Sequence, residues 1–177
     1  MSTESSEQIR DQRKDWMVVH RQQYLRSGGS EGHIMDLTAV GGPVIGTHCL
    51  VKYQGRKSGK IFITPLCYGL FAGEVVIVAS KGGADHHPSW YHNIVAQPGI
   101  EFQIATQAWR GNWRELNAEE RTQAWDYLVG MFPFYANYQA STTRLIPLLS
   151  LRASQTIPVF NEGDATGERA FLQPARS

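Results

Sequence analysis

Two short glycine-bearing stretches carry the residue types that an anionic ligand needs. In "GRKSGK", Arg56 and Lys57 directly follow a glycine, and Ser58 adds a hydroxyl group. Two fixed cations beside free backbone amides suit a phosphate or a carboxylate. The spacing differs from that of a Walker A loop, and no helix is predicted to follow. On these residues alone, a basic solvated turn is the simpler interpretation.

The second stretch is "SKGGADHHPSWYHNI", which comes directly after the apolar run "EVVIVA". Ser80, Lys81, Gly82 and Gly83 lie between a predicted buried strand and a helix predicted to begin near Pro88. Such a loop, followed by the N-terminus of a helix, presents backbone amides to a polar or anionic ligand. The glycines would also let a planar ring approach the backbone closely.

The histidines of this second stretch lack the spacing of a metal site. His86 and His87 are adjacent, so their side chains point apart in most backbones, and His92 lies beyond a predicted helix start. Neither an i, i+4 histidine pair nor a cysteine at ligand spacing is present. We therefore predict no metal site and expect these histidines to be solvated or to cap the helix.

Aromatic residues recur at intervals of three in "FPFYANYQASTTR", at Phe132, Tyr135 and Tyr138. This spacing is typical of residues that pack into a core. Tyrosine hydroxyl groups also need partners, so the same residues could wall a pocket for a flat ligand. The sequence shows neither a G-x-S-x-G elbow nor the paired carboxylates of a glycosidase, which argues against hydrolysis.

Hydrophobic periodicity predicts strands that place these stretches. "THCLVKYQ" and "IFITPLCYGL" alternate with period two around the "GRKSGK" turn, and Pro65 predicts an irregularity or an edge in the second strand. "VVIVAS" follows, then the apparent hairpin of "IEFQIAT" and "AWRGNWREL", and finally the strand "LIPLLSLRA". Connections this short require antiparallel neighbours.

Helices are predicted at three places. One runs from about Arg10 to Arg26, one begins at Pro88, and one begins at Asn117, where Glu120 completes a capping-box pattern. The sum is an α+β domain over residues 10–160, with an antiparallel sheet that closes wholly or partly into a barrel and short helices packed outside. Residues 1–9 and 161–177 are predicted to be poorly ordered tails.

Composition excludes several classes of protein. With 42% hydrophobic residues among 177, the chain can bury a core without disulfides or metals. Cys49 and Cys67 therefore read as buried thiols of a reducing cytosol. A net charge of +1 argues against nucleic-acid binding. No secretory signal or membrane-spanning stretch is predicted, so we expect a cytoplasmic protein. Peripheral membrane contact and homodimerisation through exposed sheet edges stay open.

Taken together and in order, four stretches resemble the deazaflavin-dependent nitroreductase family, whose members are also called deazaflavin-dependent oxidoreductases. They are "GRKSGK", "TPLCYG", "VVIVASKGGADHHPSWYHNI" and "FPFYANYQASTTRLIPL", and the resemblance covers about Cys49 to Leu149. "ASKGGA" followed by P-x-W-Y-x-N is its most specific part. The resemblance implies a split β-barrel that binds coenzyme F-420 and passes a hydride to a quinone, nitroaromatic or enone.

The resemblance also implies roles for single residues. The clamp for the phosphate-bearing part of the cofactor would be Arg56, Lys57 and Ser58. The loop against the deazaflavin ring, with the aromatic residue beside it, would be Ser80, Lys81, Gly82, Gly83 and Trp90. The residues facing the substrate would be Phe132, Tyr135 and Tyr138. Phe132 lacks the hydroxyl group that members often carry there. Donors to the negative charge that develops on the acceptor would be Ser80, Tyr135 and Tyr138.

Two other functions are compatible with the same residues. An FMN-binding split-barrel oxidoreductase would need a similar basic turn, because FMN also carries a phosphate. A non-catalytic carrier of a cofactor or of a hydrophobic ligand would bind without turnover. Cofactor affinity separates the first alternative from the F-420 reductase, and turnover separates the second.

Overall fold

The computed structural model describes residues 6–167, with side chains from residue 16 onward. The helices are α1 (Ser6–Arg26), α2 (Ser89–Val95), α3 (Ala118–Met131) and α4 (Phe134–Ala140). The strands are β1 (Ile34–Met35), β2 (Gly46–Gln54), β3 (Ile61–Phe71), β4 (Glu74–Val78), β5 (Ile100–Ile104), β6 (Gln107–Glu115) and β7 (Leu148–Ile157). None of the described helices is long and apolar enough to span a bilayer.

Six strands form a closed antiparallel barrel in the order β2-β3-β4-β7-β6-β5, which the pairing of β2 with β5 completes. The short strand β1 pairs with the start of β2 outside this ring. Closure leaves each barrel strand a partner on both sides, which removes most of the exposed edge. The predicted α+β barrel with helices outside is therefore confirmed.

The two-residue period of the strands explains where the core lies. In β2, Cys49 and Val51 point into the barrel, while Leu50 between them packs under α1. β4 is buried on both faces, because Val75 and Ile77 line the interior while Val76 and Val78 pack in the cluster formed with α3 and α4. This double burial accounts for the unbroken apolar run before the second glycine stretch.

Helix α3 covers the outside of the barrel as its sequence predicts. Asn117 accepts a hydrogen bond from the Glu120 amide, and the Glu120 carboxylate accepts one from the Asn117 amide. The buried face of the helix contacts β3 closely at Gly69, where a Cβ atom would lie 2.5 Å from a methyl carbon of Leu128. The absence of a side chain at residue 69 thus sets how near the helix lies to the sheet.

Pro65 does not interrupt β3. It pairs with Leu50 of β2 in a strand that continues to Phe71. The described pairs of β3 with β4 begin only at Tyr68, so Pro65 lies where β3 has a single neighbour. A residue without an amide proton is tolerated there. Of the two outcomes predicted, the edge position is correct and the irregularity is not.

Both ends of the folded region differ from the sequence prediction. Helix α1 begins at Ser6, so residues 6–9 are helical, while residues 1–5 lie outside the described residues. Beyond residue 160 the chain stays packed, with Ala165 4% exposed and the Thr166 amide donating to the Ile61 carbonyl at 2.9 Å. The predicted boundary at 160 is therefore too early, and residues 168–177 lie outside the described residues.

Buried polar side chains connect α1, β2 and β3. The Tyr24 hydroxyl donates to the His48 carbonyl at 2.9 Å. His48 Nδ1 donates to the Gly46 carbonyl at 3.2 Å, which leaves Nε2 to accept from the Cys67 thiol at 3.2 Å. Burial lowers the pKa of His48 to about 4, with the nearby His20 as a second cause. The ring is therefore neutral at physiological pH.

This buried histidine predicts a loss of stability in mild acid. The pKa of His48 is lower in the folded than in the unfolded chain, so the unfolded chain binds more protons between about pH 4 and 6.5. The free energy of unfolding should fall by about 2–3 kcal/mol from this residue between pH 7 and 4.5. Urea unfolding across that range should show a shallower decrease for His48→Gln than for the parent chain. Parallel curves for the two proteins would contradict the assignment.

Candidate active site

The two glycine-bearing stretches lie together because α2 connects them. The backbone amide of Arg56 and its Nη1 both donate to Asn93 Oδ1, at 3.1 and 2.9 Å. Asn93 is a buried residue of α2, the helix that begins within the second stretch, after its glycines. One buried side-chain oxygen therefore fixes the turn after β2 relative to the loop after β4.

The loop after β4 contains consecutive residues with left-handed backbone conformation. The φ angles are 46° at Lys81, 63° at Gly82 and 83° at Gly83. Glycine adopts such angles freely, whereas a lysine pays about 1–2 kcal/mol. Strain of this kind persists where the surroundings enforce it, and it concentrates at binding sites. We call Lys81–Gly83 the left-handed turn.

The two glycines of the left-handed turn have different surroundings. A Cβ atom at Gly83 would lie 2.1 Å from the Ser141 hydroxyl oxygen and 2.7 Å from the Tyr138 carbonyl oxygen. A Cβ atom at Gly82 would meet nothing within 4 Å. Gly83 therefore packs against α4, while the space beside Gly82 is free of neighbouring protein atoms.

Arg144 contacts both ends of this loop. Its guanidinium donates to the carbonyl oxygens of Ser80 and Ala84, at 2.8 and 2.7 Å, and to that of Ala79 at 3.2 Å. It also donates to His87 Nδ1 at 2.8 Å. Sequence reasoning missed Arg144, because nothing in its local pattern shows that the chain returns to β4 at this point.

The histidines act as hydrogen-bond partners within the loop. Lys81 Nζ lies 2.5 Å from His86 Nε2, and His87 accepts from Arg144. Burial, followed by the charge of Arg144, lowers the pKa of His87, which favours this accepting neutral form. Across the described part of the chain, no group of three or more histidine, cysteine or acidic side chains could hold a metal ion.

The polar side chains predicted to bind the cofactor are exposed on both turns. Arg56, Lys57 and Ser58 are exposed on the turn after β2, and Lys81 is exposed on the left-handed turn. The Ser58 hydroxyl accepts from the Lys60 amide at 3.2 Å, so it also shapes its own turn. Helix α2 spans only Ser89–Val95, so its dipole adds little to these side-chain charges.

The aromatic residues that were predicted to face a substrate are buried to different degrees. Phe132 is fully buried and Tyr135 is 4% exposed, whereas Tyr138 is partly exposed and its backbone contacts Gly83. The Tyr135 hydroxyl is hydrogen-bonded to Cys67, and burial raises the pKa of this tyrosine. Phe132 thus packs in the core under α3, and Tyr138 is the member of the trio nearest to the left-handed turn.

Two further predicted residues flank the loop. Ser80 is partly exposed at its start, directly before the left-handed turn. Trp90 of α2 is 8% exposed and belongs to the cluster that fills the barrel, so its side chain anchors α2 to the core. A surface cavity of about 500 Å³ lies elsewhere, since Val75, Phe102, Trp109 and the other residues that line it belong to neither glycine stretch.

The contrast between the two glycines predicts unequal effects of alanine. Gly82→Ala adds only backbone strain, about 1 kcal/mol, because its Cβ atom enters open space. Gly83→Ala adds the same strain and a backbone clash with α4, so we expect it to lower the free energy of unfolding by a further ~1–3 kcal/mol. Chemical denaturation of the matched pair measures the difference. Equal losses would contradict the packing of the loop on α4.

Comparison with known proteins identifies the family. The family model described as "F420H(2)-dependent quinone reductase" matches residues 16–152. The Mycobacterium tuberculosis protein Rv3178, assigned to the same activity, is 32% identical over 103 residues, which are 58% of this chain and 87% of that one. The solved structure of an F420-H2-dependent reductase, FDR-A, is 40% identical and has a TM-score of 0.55. The match covers 59% of this chain and 93% of the FDR-A chain.

A second solved structure, described as a domain-swapped dimer, is 34% identical and has a TM-score of 0.57. The match covers 79% of this chain and 99% of the chain in that structure. These similarities include both glycine stretches and the aromatic segment within one family match. The resemblance predicted from the sequence is therefore confirmed: the chain belongs to the F420H(2)-dependent quinone reductase family, a family of oxidoreductases that use coenzyme F-420.

Proposed function

We propose that this chain transfers a hydride from reduced coenzyme F-420 to a quinone, with the turn after β2 and the left-handed turn as its cofactor site. The placement of the site rests on one contact, the hydrogen bond between Arg56 and Asn93. An open backbone face at Gly82 lies on the loop after β4, and buried Asn93 ties the exposed cation Arg56 to the helix that follows this loop. The family match supports the cofactor and the acceptor.

The residues present fit a flat, anionic cofactor. Coenzyme F-420 has a deazaflavin ring, a phosphate and a polyglutamate tail. The open side of Gly82 has room for a ring against the backbone, and Lys81 supplies a cation at its edge. Arg56 and Lys57 would hold the phosphate, and the Ser58 hydroxyl would donate to it. Arg56 and Lys57 are adjacent cations in a chain whose net charge is only +1, so this turn favours an anion.

When bound in its reduced form, coenzyme F-420 supplies a hydride, which is one proton together with two electrons. The protein must hold the acceptor face-on to the ring, with the reacting atoms about 3–3.5 Å apart. A quinone becomes a quinol when it gains this hydride and one proton. Ser80 and Tyr138 would donate hydrogen bonds to the oxygen on which negative charge develops, and Tyr138 or water would supply the proton.

The roles of the other aromatic residues differ from the expectation. Trp90 would support the site from inside the barrel, where the structure places most of its surface. Tyr135 would act by joining its own helix, α4, to Cys67 of β3, because its hydroxyl is buried against that thiol. The structure offers Phe132 no exposed surface for a substrate, so its role would be packing. Tyr138 is then the aromatic residue that we assign to the acceptor.

The proposal extends to the range of acceptors, to the oligomeric state and to contact with a membrane surface. Nitroaromatics and enones are electrophiles of the same kind as quinones, and their reduction stays a prediction. The homodimer is supported by the 34% identical structure described as a domain-swapped dimer. Contact with a membrane surface stays a prediction, for which the exposed Trp16 and Met17 of α1 offer apolar surface.

The phosphate clamp predicts a selective loss of cofactor affinity. Lys57→Ala should weaken binding of oxidised coenzyme F-420 by about 1–3 kcal/mol, because it removes a charged hydrogen-bond donor. Lys60→Ala removes the same charge from an exposed residue of the same turn and serves as the matched control. Fluorescence titration gives both affinities. If the two variants lose equal affinity, only the charge of the turn matters and the direct contact is wrong.

The assignment of Tyr138 predicts a change in turnover without a change in cofactor binding. The protein should accelerate oxidation of reduced coenzyme F-420 by menadione, followed by absorbance of the oxidised cofactor. Tyr138→Phe should lower kcat by at least about ten-fold, since a positioned proton donor contributes at least that much. The control is Tyr127→Phe, which removes the hydroxyl of a tyrosine 46% exposed on α3. Wild-type binding without turnover would instead indicate the non-catalytic carrier.

A further inference from the structure

We infer that Arg144 is the positioning residue that holds the left-handed turn in the conformation that accepts the cofactor. The inference rests on the proposed function for the identity of the ligand, but its structural part concerns the protein alone. Arg144 lies between α4 and β7, outside both glycine stretches, and is assigned no contact with the cofactor or the acceptor.

The hydrogen bonds of Arg144 are placed where they can act on the backbone of the loop. They reach the carbonyl oxygens of Ala79 and Ser80 before the left-handed turn and that of Ala84 after it. A planar guanidinium holds its five donors at fixed angles, whereas the three donors of an ammonium group rotate about a flexible stem. One side chain therefore fixes the distance between the two ends of the turn.

A further hydrogen bond to a carbonyl group of the loop comes from Ser141, the residue directly after α4. The Ser141 hydroxyl donates to the Gly83 carbonyl at 3.1 Å and to the Tyr138 carbonyl at 2.8 Å. Donors from one short segment of chain, Ser141 and Arg144, thus bind four carbonyl oxygens of residues 79–84. The loop is held from the outside, as its strained conformation at Lys81 requires.

Arg144 is itself held firmly enough to serve as a fixed point. Gln139 of α4 donates to the Arg144 carbonyl at 2.8 Å and accepts from the Ile146 amide at 3.0 Å. Arg121 of α3 donates to the Ile146 carbonyl at 2.7 Å. Two helices therefore fix the backbone from Arg144 to Ile146, so the position of Arg144 follows that of the packed core.

A simple relation connects the loop to cofactor affinity. If only a fraction of molecules has the left-handed turn formed, the apparent dissociation constant rises in inverse proportion to that fraction. Removing the guanidinium leaves carbonyl oxygens without these donors and leaves the strain at Lys81 unopposed. Opening of the loop and loss of affinity should then change by similar factors.

The test measures both quantities in Arg144→Gln and Arg144→Lys. Hydrogen–deuterium exchange of the cofactor-free protein reports opening of residues 79–87, and titration with oxidised coenzyme F-420 reports affinity. Ser141→Ala is a third, milder variant, which keeps the inference testable if Arg144→Gln does not fold. The control is Arg114→Gln, which removes a guanidinium that bonds Glu74 and Glu120 and contacts no residue of the loop.

We expect exchange in residues 79–87 to rise at least about ten-fold in Arg144→Gln, with the dissociation constant rising by a similar factor. Arg144→Lys should recover part of both, Ser141→Ala should show a smaller change in the same direction, and Arg114→Gln should show neither. Unchanged exchange in the loop, or faster exchange spread equally over the barrel, would overturn the inference. If the unaltered chain binds no coenzyme F-420, the proposed function fails, while the exchange result still decides the role of Arg144.

Discussion

The site depends on a backbone conformation that the local sequence does not favour. Lys81, Gly82 and Gly83 all have positive φ angles, although lysine disfavours them. The conformation is compatible with the fold because β4 ends in the buried core on one side and α4 presses against Gly83 on the other. The proposed position of the cofactor ring at Gly82 depends on this turn being formed.

The barrel and α2 restrict the position of that turn. The closed barrel gives β4 two strand neighbours and a buried position on both faces, so the start of the loop cannot shift without disturbing the core. Helix α2 leads from the loop to Asn93, which binds the basic turn after β2. The basic turn is thereby tied to the helix that follows the loop.

Local patterns were sufficient to predict most of the elements. The period of two located β2 within one residue, and the Asn117–Glu120 pattern located the start of α3 as observed. The family resemblance rested on four stretches and is confirmed by the match over residues 16–152. These features depend on neighbouring residues along the chain, which is why sequence alone predicts them.

The features that sequence reasoning missed depend on contacts between distant parts of the chain. Arg144 binds residues about sixty positions earlier, and nothing around it signals this. The three-residue spacing of the aromatic segment could not show that Phe132 is buried and Tyr138 partly exposed, because a break between α3 and α4 separates them. His86 is exposed, as predicted, and lies within hydrogen-bonding distance of Lys81, whereas the bond from Arg144 to His87 joins distant parts of the chain.

The central claim is that the two turns form a site for a deazaflavin cofactor, and a competition between cofactors tests it most directly. The purified chain should be titrated with oxidised coenzyme F-420 and, separately, with FMN, under the same conditions. The account predicts saturable binding of coenzyme F-420 that FMN displaces only at much higher concentration. Tight binding of FMN with no detectable binding of coenzyme F-420 would contradict it.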